Sequence, residues 1–205
     1  MALSIFQGKK RLYNELILKS LIAGSKTVKQ ISEYIYLNTK HKAKHNPENV
    51  KRSIYSVIDR PKSRLWELSS KGYIEKRDGK WRLTLKGFCV ALTCFKSFDE
   101  AARVFDFKSL YPEIAEAFKF VIKSPKFAPL RAPYVDDRVK EVSERVSGEP
   151  RVGELFLAKI RDCTLELISE GVNLDGLSED RFMWLLAVKI VMGWFSQYAY
   201  EHGEG

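Results

Sequence analysis

The stretch over residues 73–86 reads YIEKRDGKWRLTLK and holds the clearest structural signal in the chain. Its Asp78-Gly79 pair is a strong hairpin signal, because the common two-residue turns need positive φ angles that these residues tolerate. Beyond the turn, apolar and polar residues alternate, with Trp81, Leu83 and Leu85 on one side and Arg82, Thr84 and Lys86 on the other. This alternation predicts a strand with a buried face and a basic face. We expect Gly87 to end the hairpin and a helix to begin at Phe88.

The residues ahead of the hairpin follow a helical period. Apolar positions three or four apart predict one helix over residues 10–23 and a second that Thr27 caps. A third helix is predicted to start at Asn46-Pro47, since asparagine is a good cap and proline suits the first helical position. Pro61 interrupts the third apolar stripe and predicts a break near residues 59–60. The polar, basic segment 37–46 is expected to be a loop.

The second half of the chain is helical by pattern. Predicted helices cover residues 98–104, 111–122, 134–146, 150–170 and 181–200. The last is almost entirely apolar from Phe182 to Phe195, which predicts burial in a domain core or in an oligomer interface. The predicted fold class is mainly α with a small β-hairpin. We expect two domains, an amino-terminal one over residues 1–95 and an all-α helical domain over residues 96–205.

Charge is distributed unevenly along the chain. Residues 1–90 carry 20 Lys and Arg against 7 Asp and Glu, a net charge of +13, whereas residues 91–205 carry 15 against 19, a net charge of −4. A basic half of this size predicts a polyanionic partner. No apolar run approaches the roughly 18 residues that a membrane span needs, and no secretory signal is evident. We therefore expect a cytoplasmic protein with no membrane partner.

Residues 9–90 resemble the winged helix-turn-helix superfamily of bacterial and archaeal transcriptional regulators. The order of three helices, a glycine and a hairpin carries this resemblance. The spacing L-x-x-L-x-x-x-G-x-I is met by Leu65, Leu68, Gly72 and Ile74, and the segment 83–87 (LTLKG) resembles the L-T-x-x-G that closes the wing. The resemblance implies a recognition helix that enters the major groove of DNA and a wing that touches the backbone or the minor groove. It implies nothing about residues 96–205.

Cationic and hydroxyl side chains in three places are the candidate DNA contacts, because they neutralise or bind phosphates and arginine can recognise guanine. The loop offers Lys40, Lys42 and Lys44. The long third helical stripe offers Lys51, Arg52, Ser53, Tyr55, Ser56, Arg60, Lys62 and Arg64, of which Arg52, Arg60 and Arg64 are the predicted base contacts. The wing offers Lys76, Arg77, Lys80 and Arg82.

Other chemistry has little support in the sequence. No nucleophile elbow, phosphate-binding loop or metalloprotease motif is present, so we predict no enzyme and no cofactor. His41 and His45 are four apart, but His202 is remote, so no metal site is predicted. The cysteines Cys89, Cys94 and Cys163 are interpreted as buried thiols. Trp81 is interpreted as the core residue of the wing, and Trp66 as a residue at the core edge.

The predicted function is that of a transcriptional regulator that binds duplex DNA through its amino-terminal domain. The helical domain is predicted to dimerise, to sense a ligand or to contact another protein, and the expected assembly is a homodimer through the C-terminal helices. Two alternatives share the same basic module. A winged helix can serve as a protein-interaction or assembly adaptor, in which case the basic face meets an acidic protein or RNA. The chain can also be a plasmid or viral replication initiator.

Overall fold

A computed structural model of the protein describes residues 3–8, 11–39, 46–107, 111–125 and 133–201. Within these residues lie ten α-helices and one two-stranded antiparallel sheet, which confirms the prediction of a mainly α fold with a small hairpin. The helices are α1 (Arg11–Ile22), α2 (Val28–Leu37), α3 (Pro47–Ile58), α4 (Arg64–Ser70), α5 (Leu85–Leu92), α6 (Phe98–Val104), α7 (Tyr111–Lys123), α8 (Pro133–Gly148), α9 (Pro150–Ser169) and α10 (Glu179–Glu201), and the strands are β1 (Ile74–Arg77) and β2 (Lys80–Leu83).

The chain divides into two compact units. The first unit comprises Met1–Phe95 together with Ile168–Glu179, and the second comprises Lys96–Leu167 together with Asp180–Gly205. The segment 168–179, which the sequence analysis assigned to the helical domain, therefore groups with the first unit. Its Leu174 is fully buried, and its backbone carbonyls bind a lysine of the first unit.

Polar caps start α2 and α3 where the sequence predicts them. The Thr27 hydroxyl accepts a hydrogen bond from the Gln30 amide at 3.3 Å, and the Thr27 amide donates to the Gln30 side chain at 2.9 Å, so the two form a capping box. The Asn46 side chain accepts from the Glu48 amide at 2.9 Å, with Pro47 as the first helical residue. Both predicted helix starts are confirmed.

The third helical stripe is broken next to Pro61, as predicted. Helix α3 ends at Ile58, and α4 begins at Arg64. Ser63 is buried in the connecting turn and donates its hydroxyl to the Ile58 carbonyl at 2.5 Å. Lys62 has a φ of +63°, a left-handed conformation that is uncommon for a residue with a Cβ atom.

The hairpin has the predicted turn. Asp78 and Gly79 have φ angles of +50° and +75°, as a type I′ turn requires. Strands β1 and β2 pair in antiparallel register, so that Lys76 lies opposite Trp81. Trp81 also exchanges two backbone hydrogen bonds of 2.8 Å with Lys26, in the connection between α1 and α2. These bonds tie the hairpin to the amino-terminal helices of the first unit.

The end of the hairpin differs from the prediction. Strand β2 stops at Leu83, and α5 begins at Leu85 instead of Phe88. The Thr84 hydroxyl accepts from the Gly87 amide at 3.0 Å and caps this helix. Leu85 is therefore a helical residue and is not part of the strand. The prediction was wrong because the alternation of apolar and polar residues continues by coincidence through the helix cap.

Lys86 is the largest correction to the sequence analysis. It was predicted on the basic, exposed face of the hairpin, but it lies in the first turn of α5 and its side chain is fully buried. The neighbouring Gly87 packs against backbone, because a Cβ atom built there would lie 1.7 Å from the Tyr73 carbonyl oxygen. Helix α5 therefore crosses the start of β1 at a distance that only glycine permits.

All the regular secondary structure in the described residues of the second unit is helical. Side chains of α9 and α10 dominate its buried residues: Phe156, Leu157, Ile160, Phe182, Leu186, Ile190 and Val191. The apolar character of α10 is thus satisfied by burial within a single chain. Over the described part of the chain, no helix combines the length and the hydrophobicity needed to traverse a bilayer.

Candidate nucleic-acid interface

Most candidate DNA contacts of the first unit lie on its surface. In the described part of the first unit, six exposed cations have no carboxylate within 4 Å: Lys29, Arg52, Arg60, Lys62, Lys76 and Lys80. We refer to these six as the exposed cations. They occur at three places, which are a groove between α2 and α3, the α3–α4 turn, and the hairpin. Their charge is therefore available to an external anion.

The groove between α2 and α3 has a volume of about 650 Å³. Its lining residues are Lys29, Ser32 and Glu33 from α2 and Glu48, Lys51, Arg52, Tyr55 and Ser56 from α3. Arg52 and Tyr55 are exposed here, Ser56 is half-buried, and the nearby Ser53 is exposed. The pKa of Tyr55 is raised, chiefly by the negative charge of Asp59 and further by desolvation and a hydrogen bond to Asp59, so this hydroxyl already has a carboxylate partner.

The positive charge of Lys51 in the same groove is balanced by two carboxylates. Its ammonium lies 3.4 Å from Glu48 and 3.5 Å from Glu33, and 5.4 Å from the centre of the Tyr36 ring. Desolvation lowers the pKa of Lys51, but the two carboxylates outweigh it and raise the pKa. Lys51 is thus less available to a phosphate than the neighbouring Arg52.

Two cations near the α3–α4 turn are exposed, and a third is held in an ion pair. Arg60 and Lys62 are exposed, whereas Arg64 is bound to Glu67 at 2.6 Å with only 16% of its side chain accessible. The sequence analysis named Arg64 as a base contact. The structure commits its guanidinium to Glu67, so Arg64 would have to break this pair to contact a base.

The cations of the hairpin lie on different faces, according to their positions along the two strands. Arg77 and Lys80 flank the turn and are exposed, and Arg77 is 3.9 Å from Asp78. Arg82 pairs with Glu75, the residue opposite it on β1. Lys76 is exposed on the other face of the hairpin, where its ammonium is 5.7 Å from the centre of the Trp81 ring.

Two tryptophans meet where α4 packs on the hairpin. Trp81 is 1% exposed, which confirms it as a core residue, whereas Trp66 is 52% exposed. Their ring centres are 6.1 Å apart and their planes are nearly perpendicular, at 82°. Edge-to-face contact is a preferred geometry of aromatic pairs and favours one orientation of the exposed ring. Trp66 therefore offers an accessible aromatic surface that is held against the hairpin.

Several candidates lie outside the described residues. These are Lys40, Lys42, Lys44, His41, His45 and His202. Within the described ranges, no group of three or more His, Cys, Asp or Glu side chains could hold a metal ion. Cys89 and Cys163 are buried and Cys94 is half-buried. Burial raises the pKa of all three thiols, that of Cys163 to about 11.

Sequence reasoning missed a polar cluster in the first unit, which we name the Asp175 cluster and which comprises the buried Tyr73 and Lys86, the half-buried Lys71 and Asp175, and the exposed Ser4. Asp175 accepts hydrogen bonds from the Tyr73 hydroxyl at 2.7 Å, from the Lys71 ammonium at 3.3 Å, and from Ser4. Burial raises the pKa of Asp175, but these donors outweigh it and the net pKa is lowered. Burial and the bond to Asp175 raise the pKa of Tyr73.

Lys86 completes the Asp175 cluster. Its ammonium donates to the carbonyls of Lys71 at 2.6 Å, Leu177 at 2.7 Å and Leu174 at 3.2 Å, and lies 4.7 Å from the centre of the Tyr73 ring. Burial lowers the pKa of Lys86, although Asp175 and Glu179 oppose this shift. No pattern in the sequence identifies backbone carbonyls as the acceptors of a lysine. The cluster fastens the segment 168–179 to the base of the hairpin.

Comparison with known proteins provides no relative from which the role of this surface could be taken. The chain matches no known protein family, and no curated protein or solved structure is significantly similar to it.

Proposed function

We propose that the first unit binds duplex DNA as a winged-helix module of a transcriptional regulator. The observation that carries the proposal is the set of exposed cations, which occupy the helices, the turn and the hairpin but have no carboxylate partners among the described residues. Cations that are free in the isolated protein can neutralise phosphates and release counterions. Their number and distribution fit a polyanion better than a single small ligand.

The arrangement of the elements supports the same proposal. Helices α1 to α4 precede the hairpin, and its central Trp81 is bonded to the α1–α2 connection, so the hairpin is a fixed projection of the unit. Arg77 and Lys80 lie beside the turn of this projection. A rigid basic hairpin next to basic helical segments suits contact with both a groove and the flanking backbone.

The homodimer through the C-terminal helices remains a prediction. Phe182, Leu186 and Ile190 of α10 are buried within one chain. A dimer contact would use exposed apolar side chains of the C-terminal helices, such as Leu155 of α9 and Met192 of α10.

A salt titration tests the DNA-binding proposal. Fluorescence anisotropy of a labelled random-sequence duplex should report micromolar binding at low salt that weakens steeply as salt rises. Replacing Lys76, Arg77, Lys80 and Arg82 by alanine should weaken binding and reduce the salt slope by about one unit for each phosphate that is no longer neutralised. The fold should survive, because these side chains are exposed or half-buried.

The matched control removes the same charge from the second unit. Lys123, Lys140, Arg151 and Lys159 are basic residues on the surface of that unit, and their fourfold alanine variant should bind DNA with nearly the wild-type salt slope. If the two variants lose affinity equally, binding follows net charge alone and the hairpin has no special part. If the wild type does not bind duplex DNA at low salt, the proposal fails and an adaptor role becomes the better hypothesis.

A further inference from the structure

We propose that Trp66 is a non-electrostatic nucleic-acid contact, whose exposed indole packs on a ring of a nucleotide, either the flat face of an unstacked base or the apolar face of a deoxyribose. This inference rests on the proposed DNA binding and names a residue that no charge argument would select. It depends on three observations, namely how Trp66 is held, which charges surround it, and how much of it is accessible.

Trp66 is held by a rigid support. Leu65 and Leu68 are fully buried and anchor α4 on both sides of it. Trp81, which contacts Trp66, is fixed by its two backbone bonds to Lys26 and by its pairing with Lys76. An aromatic ring that is already oriented loses little conformational entropy when a ligand packs on it.

The charges around Trp66 favour a nucleotide over an apolar protein surface. Lys76 lies over the same Trp81 ring that Trp66 contacts, and Lys62 precedes Trp66 by four residues in the chain. Both are exposed cations. By contrast, Glu67 pairs with Arg64 and with Lys71 within the α4 region itself. Because the Lys76 ammonium lies 5.7 Å and the Trp66 ring centre 6.1 Å from the centre of the Trp81 ring, a ligand that covers Trp66 and extends along the hairpin meets available positive charge, which favours a polyanion over a second copy of this unit.

The accessible area of Trp66 is large enough for stacking. About half of its surface is exposed, although it makes an edge-to-face contact with Trp81. Every base has a π face that can stack on an aromatic side chain, but in a duplex this face is reached only where a base is unstacked, whereas a deoxyribose is reached along the backbone. We therefore expect Trp66 to add affinity without adding strong sequence preference.

Salt dependence distinguishes this contact from a phosphate contact. In the full-length protein, Trp66→Leu should lower duplex affinity about 5- to 100-fold at every salt concentration and leave the salt slope unchanged. Trp66→Phe should retain part of the affinity, because a smaller aromatic ring still stacks. Lys76→Ala should instead reduce the slope by about one unit. Val104→Ala, at an exposed apolar residue of the second unit, is the matched control and should change neither quantity.

Tryptophan fluorescence gives an independent measurement. Trp81 and Trp194 are buried and Trp184 is half-buried, so acrylamide should quench Trp66 most strongly. Bound duplex should protect the wild type from acrylamide and should protect the Trp66→Phe variant much less. A duplex with one unpaired base distinguishes a base contact from a deoxyribose contact. Stronger binding to this duplex than to the fully paired one indicates a base, and equal binding indicates deoxyribose.

The outcomes separate this inference from the function on which it rests. If the wild type fails to bind duplex DNA, both are overturned. If the wild type binds but Trp66→Leu binds equally well, or if its salt slope falls, only the inference is overturned. The Trp66→Phe variant, with an unchanged melting temperature, excludes unfolding as the cause of a decrease in affinity.

Discussion

Lys86 and Asp175 show how much of the first unit depends on single buried groups. The Lys86 ammonium satisfies three backbone carbonyls, and the Asp175 carboxylate satisfies three side-chain donors. Removing one partner from such a network leaves buried polar groups without hydrogen bonds, which costs more than the net value of a single bond. Conservative replacements in the Asp175 cluster are therefore expected to destabilise the protein.

Stability at acid pH should depend on Asp175. Its pKa is lowered in the folded state, so its contribution is fully present above the unfolded value of about 4 and is lost as the pH falls through the folded pKa. Asp175→Asn should cost about 1–3 kcal/mol at neutral pH and remove this part of the acid dependence. Denaturant unfolding of both proteins between neutral and acid pH checks this. A parallel decrease of stability in the two proteins would contradict it.

Gly87 should tolerate no side chain. A Cβ atom at this position would overlap the Tyr73 carbonyl, which is backbone and cannot rotate away. We expect Gly87→Ala to destabilise the protein by about 3 kcal/mol or more, as measured by urea unfolding. Gly176→Ala is the matched control, because its Cβ would meet only the end of the Asn173 side chain at 3.7 Å. Equal effects of the two substitutions would show that α5 can move away from β1.

At the scale of elements, the α3–α4 turn combines a proline, a buried serine and a strained lysine. Pro61 cannot continue the helix, and Ser63 closes the turn by its bond to the Ile58 carbonyl. The strain of this geometry falls on Lys62, which adopts a positive φ. Backbone strain of this kind often marks positions that contact a ligand.

A substitution that relieves the strain at Lys62 should raise the stability of the fold and weaken DNA binding. Lys62→Gly should stabilise the fold by about 1 kcal/mol, because glycine adopts positive φ without penalty. The same substitution should reduce the salt slope of DNA binding by about one unit. Asp78→Gly serves as the control, since aspartate tolerates this conformation and its replacement should stabilise less. Destabilisation by Lys62→Gly would show that the side chain is needed for folding.

The sequence predicts where helices begin and end better than it predicts which distant residues bond to them. Thr27, Asn46 and Pro61 have local effects, so the starts of α2 and α3 and the break before α4 are predicted correctly. The start of α5 is missed because Thr84, its cap, also fits the alternation of a strand. Spacing in the sequence could have revealed the Arg64–Glu67 pair. It could not have revealed the bond from Lys86 to Leu174, which are 88 residues apart.

At the scale of the whole molecule, the first unit is discontinuous in sequence. Its segment 168–179 follows most of the second unit along the chain. Residues 1–95 therefore contain the exposed cations but lack Asp175 and the two distant carbonyls that Lys86 binds. A chain cut at the predicted domain boundary would lack part of its own core.

Replacing Lys86 in the full chain and in a truncated chain tests whether the first unit depends on the segment 168–179. In the full chain, Lys86→Met should cost about 2–4 kcal/mol, because three buried carbonyls lose their donor. In a chain that ends at Phe95, the carbonyls of Leu174 and Leu177 are absent, so the same substitution should cost much less. The parent truncation should itself unfold at a lower urea concentration than the full chain. An equal cost of Lys86→Met in both chains would contradict a role for the segment 168–179.

The position of Leu174 in the chain also sets an order of events during synthesis. Lys86 leaves the ribosome 88 residues before Leu174, an interval on the order of 10 seconds at ordinary elongation rates. Through that interval the nascent first unit has an uncovered surface beside the hairpin base, and Asp175 is not yet available to Tyr73. The unit that carries the exposed cations is completed only after residue 179 has emerged, so a stalled or prematurely terminated chain exposes a basic but unfinished module.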